Sequence, residues 1–130
     1  MIHEAFKDKI FVREFELTYL VIEPVKEFKW FMLVSKVNAS NILDLDSEQR
    51  SKLYKDIELV AEFVKNYYSP DRINIAMLGN ITNHLHVHII ARFSNDACWP
   101  KAVFGFKSTP TGSLFFKTDI DAFNVYTNNL

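Results

Sequence analysis

At 130 residues, with 48% hydrophobic and 24% charged side chains, the chain can bury one core without disulfide or metal staples, which excludes a disordered or fibrous protein. A net charge of −1 excludes broad attraction to nucleic acid or anionic membrane, so a phosphate-bearing partner must be recognised by a few placed donors. The single cysteine, Cys98, excludes an internal disulfide, no apolar run approaches the ~20 residues of a membrane span, and the charged stretch His3–Lys9 lacks the apolar region of a signal peptide; a cytoplasmic protein with no membrane partner is expected.

Nothing in the composition divides the chain, so residues 1–130 are read as a single domain. Val12 to Glu23 is rich in β-branched and aromatic residues and predicts one or two strands, followed by a turn from Pro24. Lys29 to Lys36 is apolar at nearly every position, which predicts a strand covered on both faces. Asp46 with Gln49 three residues later is a helix-start signal. Leu53, Ile57, Val60, Ala61 and Val64 then recur at helical spacing, with Arg50, Lys52, Lys55, Asp56, Glu58 and Glu62 on the remaining face. This predicts an amphipathic helix over 47–68, ending before Pro70.

Arg72–Leu78 and His84–Phe93 both alternate with period two around the turn formers of Gly79–Asn83. A symmetric turn there predicts Asn74 opposite His88, Ala76 opposite His86 and Leu78 opposite His84. Residues 94–110 read as a loop with a short strand at Ala102–Phe106, and Asp119–Tyr126 as a short helix.

Alternation along a strand puts His84, His86 and His88 on one face, continued by Ile90 and Arg92. Leu85, Val87, Ile89, Ala91 and Phe93 form the other, suited to packing beneath the helix. Three of four histidines therefore share the face turned away from the expected core. Three readings of that row stay open. The rings can be structural, each with a partner for its nitrogens. They can contribute to a zinc site, although tetrahedral zinc needs ligands beyond one H-x-H pair, and a zinc deaminase would need H-x-E and paired cysteines. Or they can act at phosphorus, where a neutral imidazole is a nucleophile and its neighbours donate to phosphate oxygens and the leaving group.

The stretch His84-Leu-His86-Val-His88-Ile-Ile resembles the H-x-H-x-H-x-x signature of the histidine-triad (HIT) hydrolases and transferases. Trp30–Val34, Asn74–Asn80, His84–Arg92 and Asp96–Gly105 are similar to the proteobacterial diadenosine tetraphosphate hydrolase-like branch, so the likeness covers about Phe15 to Gly105. The resemblance implies an α+β fold: a five-stranded antiparallel sheet with one long and one short helix, in a homodimer extended across the interface. It implies a metal-independent phosphohydrolase or nucleotidyl transferase, without cofactor, acting on dinucleoside polyphosphates or nucleoside phosphoramidates. His86 would attack the α-phosphorus to form a nucleotidyl-histidine, while His84 and His88 bind phosphate oxygens and help the leaving group. Asn74 would touch phosphate or ribose, as part of an N-x-G whose glycine is here Ala76. Asn80 stands where other branches hold phosphate with Gln, Thr82 is nearest to a usual hydroxyl position, and Asn38 matches a fourth histidine. A nucleotide-binding protein with little turnover and a histidine-ligated zinc protein are the alternatives.

Outside this set, His3 is expected to be solvated, Cys98 a packing residue or spectator, and Trp99 and Phe104 core or interface residues. Lys36 and Arg92 are read equally as phosphate contacts or surface charges.

Overall fold

The computed structural model describes residues 1–130. Five strands form one antiparallel sheet: β1 (Ile10–Glu14), β2 (Thr18–Ile22), β3 (Lys29–Ser35), β4 (Arg72–Ala76) and β5 (His86–Arg92), in spatial order β1-β2-β3-β5-β4. Two helices, α1 (Ser47–Tyr68) and α2 (Lys117–Asn128), complete the expected α+β arrangement. The expected early strands are β1 and β2, and the run expected to be covered on both faces is β3, buried from Phe31 to Ser35.

The predicted helix start at Asp46 is a complete capping box. The Asp46 side chain accepts from the Gln49 N–H at 2.8 Å, and the Gln49 side chain accepts from the Asp46 N–H at 2.9 Å. The helix stops where Ser69 turns left-handed, at φ 48°, just before Pro70. Asp46→Ala should cost about 1 kcal/mol of stability, read as a lower denaturant midpoint with unchanged slope.

Leu53, Val60, Phe63 and Val64 of α1 pack on Leu20, Phe31, Leu33, Val87, Ile89 and Ala91 of the sheet, so the non-histidine face of β5 lies beneath the helix as its alternation required. The helix α2 is longer than expected from sequence and docks Phe123 edge-on to Phe63 at 5.1 Å. It is tied down by Asp119, which accepts from the Tyr68 hydroxyl and from Lys29. No helix is long and apolar enough to cross a membrane.

Two local expectations fail. The β4–β5 register pairs Asn74 with Ile90 and Ala76 with His88, two residues away from the symmetric-turn expectation, and Leu78 pairs with nothing in the sheet. The reason is Leu85: its N–H donates to the Ala39 carbonyl at 2.8 Å and its carbonyl accepts from the Ser35 N–H at 3.0 Å. The backbone just before β5 thus belongs to the segment after β3, leaving Met77–Leu85 as a long connection with Gly79 at φ 76°. A shift of two keeps every side chain on its face. Ala102–Phe106 forms turns rather than a strand, because Arg92 takes the Lys101 carbonyl at 2.7 Å and Gly105 sits at φ 90°.

Candidate active site

On the sheet face opposite α1, β5 presents His86, His88, Ile90 and Arg92, and β3 presents Trp30, Met32 and Val34. His84 lies two residues before the first residue of β5, outside the strand. All three triad histidines are buried, at 7–8% exposure, so each ring nitrogen within reach of a partner takes a fixed role. The face is covered by a short turn, Glu4–Phe6, whose Phe6 ring lies 4.9 Å from His86 between centroids.

The hydrogen bonds assign the tautomers. A carbonyl only accepts, so His84 donates through Nε2 to the Ser35 carbonyl at 2.7 Å, and His86 donates through Nδ1 to the His84 carbonyl at 2.6 Å. Neutral His86 therefore carries its lone pair on Nε2. An indole N–H only donates, so Trp30 Nε1 gives its proton to His88 Nδ1 at 3.0 Å, and the proton of neutral His88 sits on Nε2. The result is a lone pair on His86 beside an N–H donor on His88, with ring centroids 4.9 Å apart.

Charge follows the same pattern. Burial holds the His86 pKa below the ordinary histidine value, against the opposing hydrogen bond to the His84 carbonyl. Burial pushes His88 down to about 4, helped by the repulsion of a protonated His86 and by the charge of Lys9. Both rings are neutral at neutral pH, the state a nucleophile requires.

His86 and His88 line a cavity of about 340 Å³ with Phe6, Met32 and Phe104 among its apolar walls. Asn80 and Thr82 of the β4–β5 connection line it as well, as do Lys9 and Glu23, which form an ion pair at 3.0 Å. His84 instead lines a smaller adjoining cleft, shared with His86. The structure thus brings together His86, His88, Asn80 and Thr82, and sets His84 and Asn74 apart from the larger cavity. The Asn74 side-chain oxygen accepts from Arg92 at 2.9 Å. Asn38 is exposed and lines neither space.

Arg92 is not a surface charge. At 1% exposure it bonds Asp96, Asn74 and the Lys101 carbonyl, and so anchors the loop that follows β5. That loop carries Phe104 to within 4.9 Å of His88, where it walls the cavity rather than filling the core. His3 is exposed as expected, yet its ring stacks on His84 at 4.4 Å and 22°. Lys36 pairs with Glu14 and covers Tyr19. Cys98 packs its sulfur against the Lys101 and Ala102 carbonyls. No group of three or more His, Cys, Asp or Glu side chains is arranged to hold a metal ion.

Residues 4–95 match the model of the HIT domain. The chain belongs to the HIT family. A histidine triad protein from Bradyrhizobium japonicum has the same fold at a TM-score of 0.91, with 32% identity and coverage of 97% of this chain and 96% of that one. A histidine triad protein from Marinobacter aquaeolei VT8 superposes with a TM-score of 0.91 at 25% identity, covering 100% of this chain and 97% of that one. A bis(5'-adenosyl)-triphosphatase of Saccharomyces cerevisiae is 28% identical over 83 residues, 58% of this chain; the match spans 40% of that longer protein. The HIT match ends at residue 95, so Phe104 and α2 lie beyond it, although the two solved structures cover 97% and 100% of the chain.

Proposed function

We propose that this HIT protein cleaves dinucleoside polyphosphates or nucleoside phosphoramidates through a nucleotidyl intermediate on His86, without a metal. The observation that carries the reading is the 2.6 Å hydrogen bond from His86 Nδ1 to the His84 carbonyl, because it leaves an unprotonated Nε2 beside a roomy cavity. The name of the yeast relative, a bis(5'-adenosyl)-triphosphatase, points to the same substrate class.

In the first step the Nε2 lone pair attacks the α-phosphorus. A P–N bond forms, the bond to the leaving group breaks, and its electron pair departs with the leaving atom. The carbonyl of His84 holds the Nδ1 proton as the ring gains positive character. His88 Nε2–H donates to the leaving atom, and Asn80 and Thr82 supply polar contacts to the phosphate chain. In the second step water attacks phosphorus, the P–N electron pair returns to Nε2, and the water proton passes to solvent. His84 serves chiefly through its carbonyl, since its Nε2 is committed to Ser35. The homodimer expected from the resemblance belongs to this reading; exposed Ile75, Met77 and Leu78 along and beyond the edge strand β4 support it.

The test is incubation with diadenosine triphosphate in the presence of a chelator. The reading expects AMP to be released. Nucleotide bound without product would make the protein a binder, and loss of activity on chelation, with bound zinc disappearing in His84→Ala, would make it a zinc protein. Because His86 and His88 resist protonation, the acid limb of kcat/KM should lie below the ~6.5 of an unperturbed histidine. Activity should therefore persist into mildly acidic buffer.

A further inference from the structure

Trp30 lies on β3, two residues from Met32, which pairs with His88 across the β3–β5 ladder. Alternation puts its indole on the histidine face, and Nε1 reaches His88 Nδ1 at 3.0 Å. Phe104 completes the enclosure, 4.9 Å from the His88 ring and 5.7 Å from Trp30, edge-on to both. Neither aromatic neighbour titrates. The titratable groups facing His88 are His86 beside it on β5, and Lys9 and Glu23, which line the same cavity.

A protonated His88 would carry a hydrogen on Nδ1 and aim it at the indole N–H, donor against donor at hydrogen-bond distance. The indole has no lone pair to offer in exchange. The contact therefore selects one state of His88 out of three: the neutral ring with its hydrogen on Nε2. Such a ring donates a hydrogen bond well but has no acidic proton to surrender.

That matters for what can leave. A phosphate chain departs as an anion at neutral pH, since its last ionisation lies near ~6, and needs only a hydrogen bond. An amine cannot depart as an anion. It must take a proton as the P–N bond breaks, which calls for a general acid.

We propose that Trp30 is a positioning residue that fixes His88 as a neutral Nε2–H donor, and that the site thereby favours leaving groups departing as phosphate anions over amines. This rests on the nucleotidyl-His86 reading and narrows its substrate class. In the favoured reaction the α-phosphorus–oxygen bond breaks, the electron pair goes to the oxygen of the departing nucleoside phosphate, and His88 keeps its proton throughout.

The test compares the wild-type chain with Trp30→Phe, which retains a ring in the half-buried site. Long-range proton–nitrogen NMR reads which His88 nitrogen carries hydrogen. In parallel, kcat/KM is measured for diadenosine triphosphate and for an adenosine phosphoramidate with an alkylamine leaving group. The wild type should show a bare Nδ1 and a protonated Nε2, and should prefer the polyphosphate. In Trp30→Phe the His88 hydrogen should distribute over both nitrogens. The preference should fall roughly tenfold or more through kcat, with amine release gaining rate as pH falls, as expected when a ring becomes free to act as an acid. A wild-type Nδ1–H, or a spectrum and preference unchanged in the variant, overturns the proposal. Should Trp30→Phe not fold, the wild-type spectrum and substrate preference still decide it. If the wild type turns over neither substrate, the nucleotidyl reading fails with the selectivity claim, while the spectrum separately upholds or overturns the Trp30–His88 lock.

Discussion

Replacing His86 with alanine should reduce turnover of a dinucleoside polyphosphate by roughly 10⁴-fold or more, while AMP still binds. No neighbouring group can take over. His84 has its Nε2 on the Ser35 carbonyl and lines the smaller cleft, and the Nδ1 of His88 is occupied by Trp30. The cavity walls that meet the nucleotide, including Phe6, Met32 and Phe104, are untouched by the change. The variant should remain folded: the lost hydrogen bond to the His84 carbonyl is worth about 1 kcal/mol, against several for a marginal domain. Steady-state kinetics with separate nucleotide titration distinguishes lost chemistry from lost binding. A variant that keeps more than a tenth of the activity would remove His86 from the role of nucleophile.

The second large effect belongs to stability. Asp96→Ala should cost about 3–5 kcal/mol, because it leaves the Arg92 guanidinium buried without its counter-ion. Arg92 has 1% exposure and bonds both carboxylate oxygens of Asp96, at 2.7 and 3.1 Å. Asp96 also accepts the backbone N–H groups of Phe93, Cys98 and Trp99, so the loop after β5 loses its hub as well. Since that loop carries Phe104, nucleotide affinity should fall along with the unfolding midpoint. Arg92 holds the Asp96 carboxyl down to about 2. A carboxyl with a lower folded than unfolded pKa binds fewer protons when folded. Its contribution, about 2–3 kcal/mol, is complete above about pH 4 and is lost as the pH falls toward 2. Denaturation curves between pH 6 and 3 should show this acid loss in wild type and less of it in Asp96→Ala.

Much of this site was legible before any coordinates. His86 and His88 share a strand face by the alternation alone, and the apolar residues between and after them had to meet the amphipathic helix that Asp46 and Gln49 begin, whereas His84, expected on the same strand, lies before it and lines the smaller cleft. What was not legible depends on partners distant in sequence. The turn over Gly79–Asn83 reads as symmetric until Leu85 is seen bonded to Ser35 and Ala39. Trp30 is one more apolar residue of β3 until the β3–β5 register brings it beside His88. Phe6 and Lys9 reach the cavity from an N-terminal segment whose local sequence carries no signal for that position. Arg92 looks like any exposed charge of an alternating strand, although Asp96 four residues later is a partner that a charge-pair search along the chain would find. The same blindness hid the hydrogen bond that Arg92 donates to Asn74.

The central claim is most directly tested by brief incubation with diadenosine triphosphate, quenching at alkaline pH to preserve an acid-labile P–N bond, and peptide mass spectrometry. An adenylyl group on His86, absent from the His86→Ala chain, is the predicted result. Steady product release with no adduct on any histidine, or an adduct on His84 or His88 instead, would contradict the account.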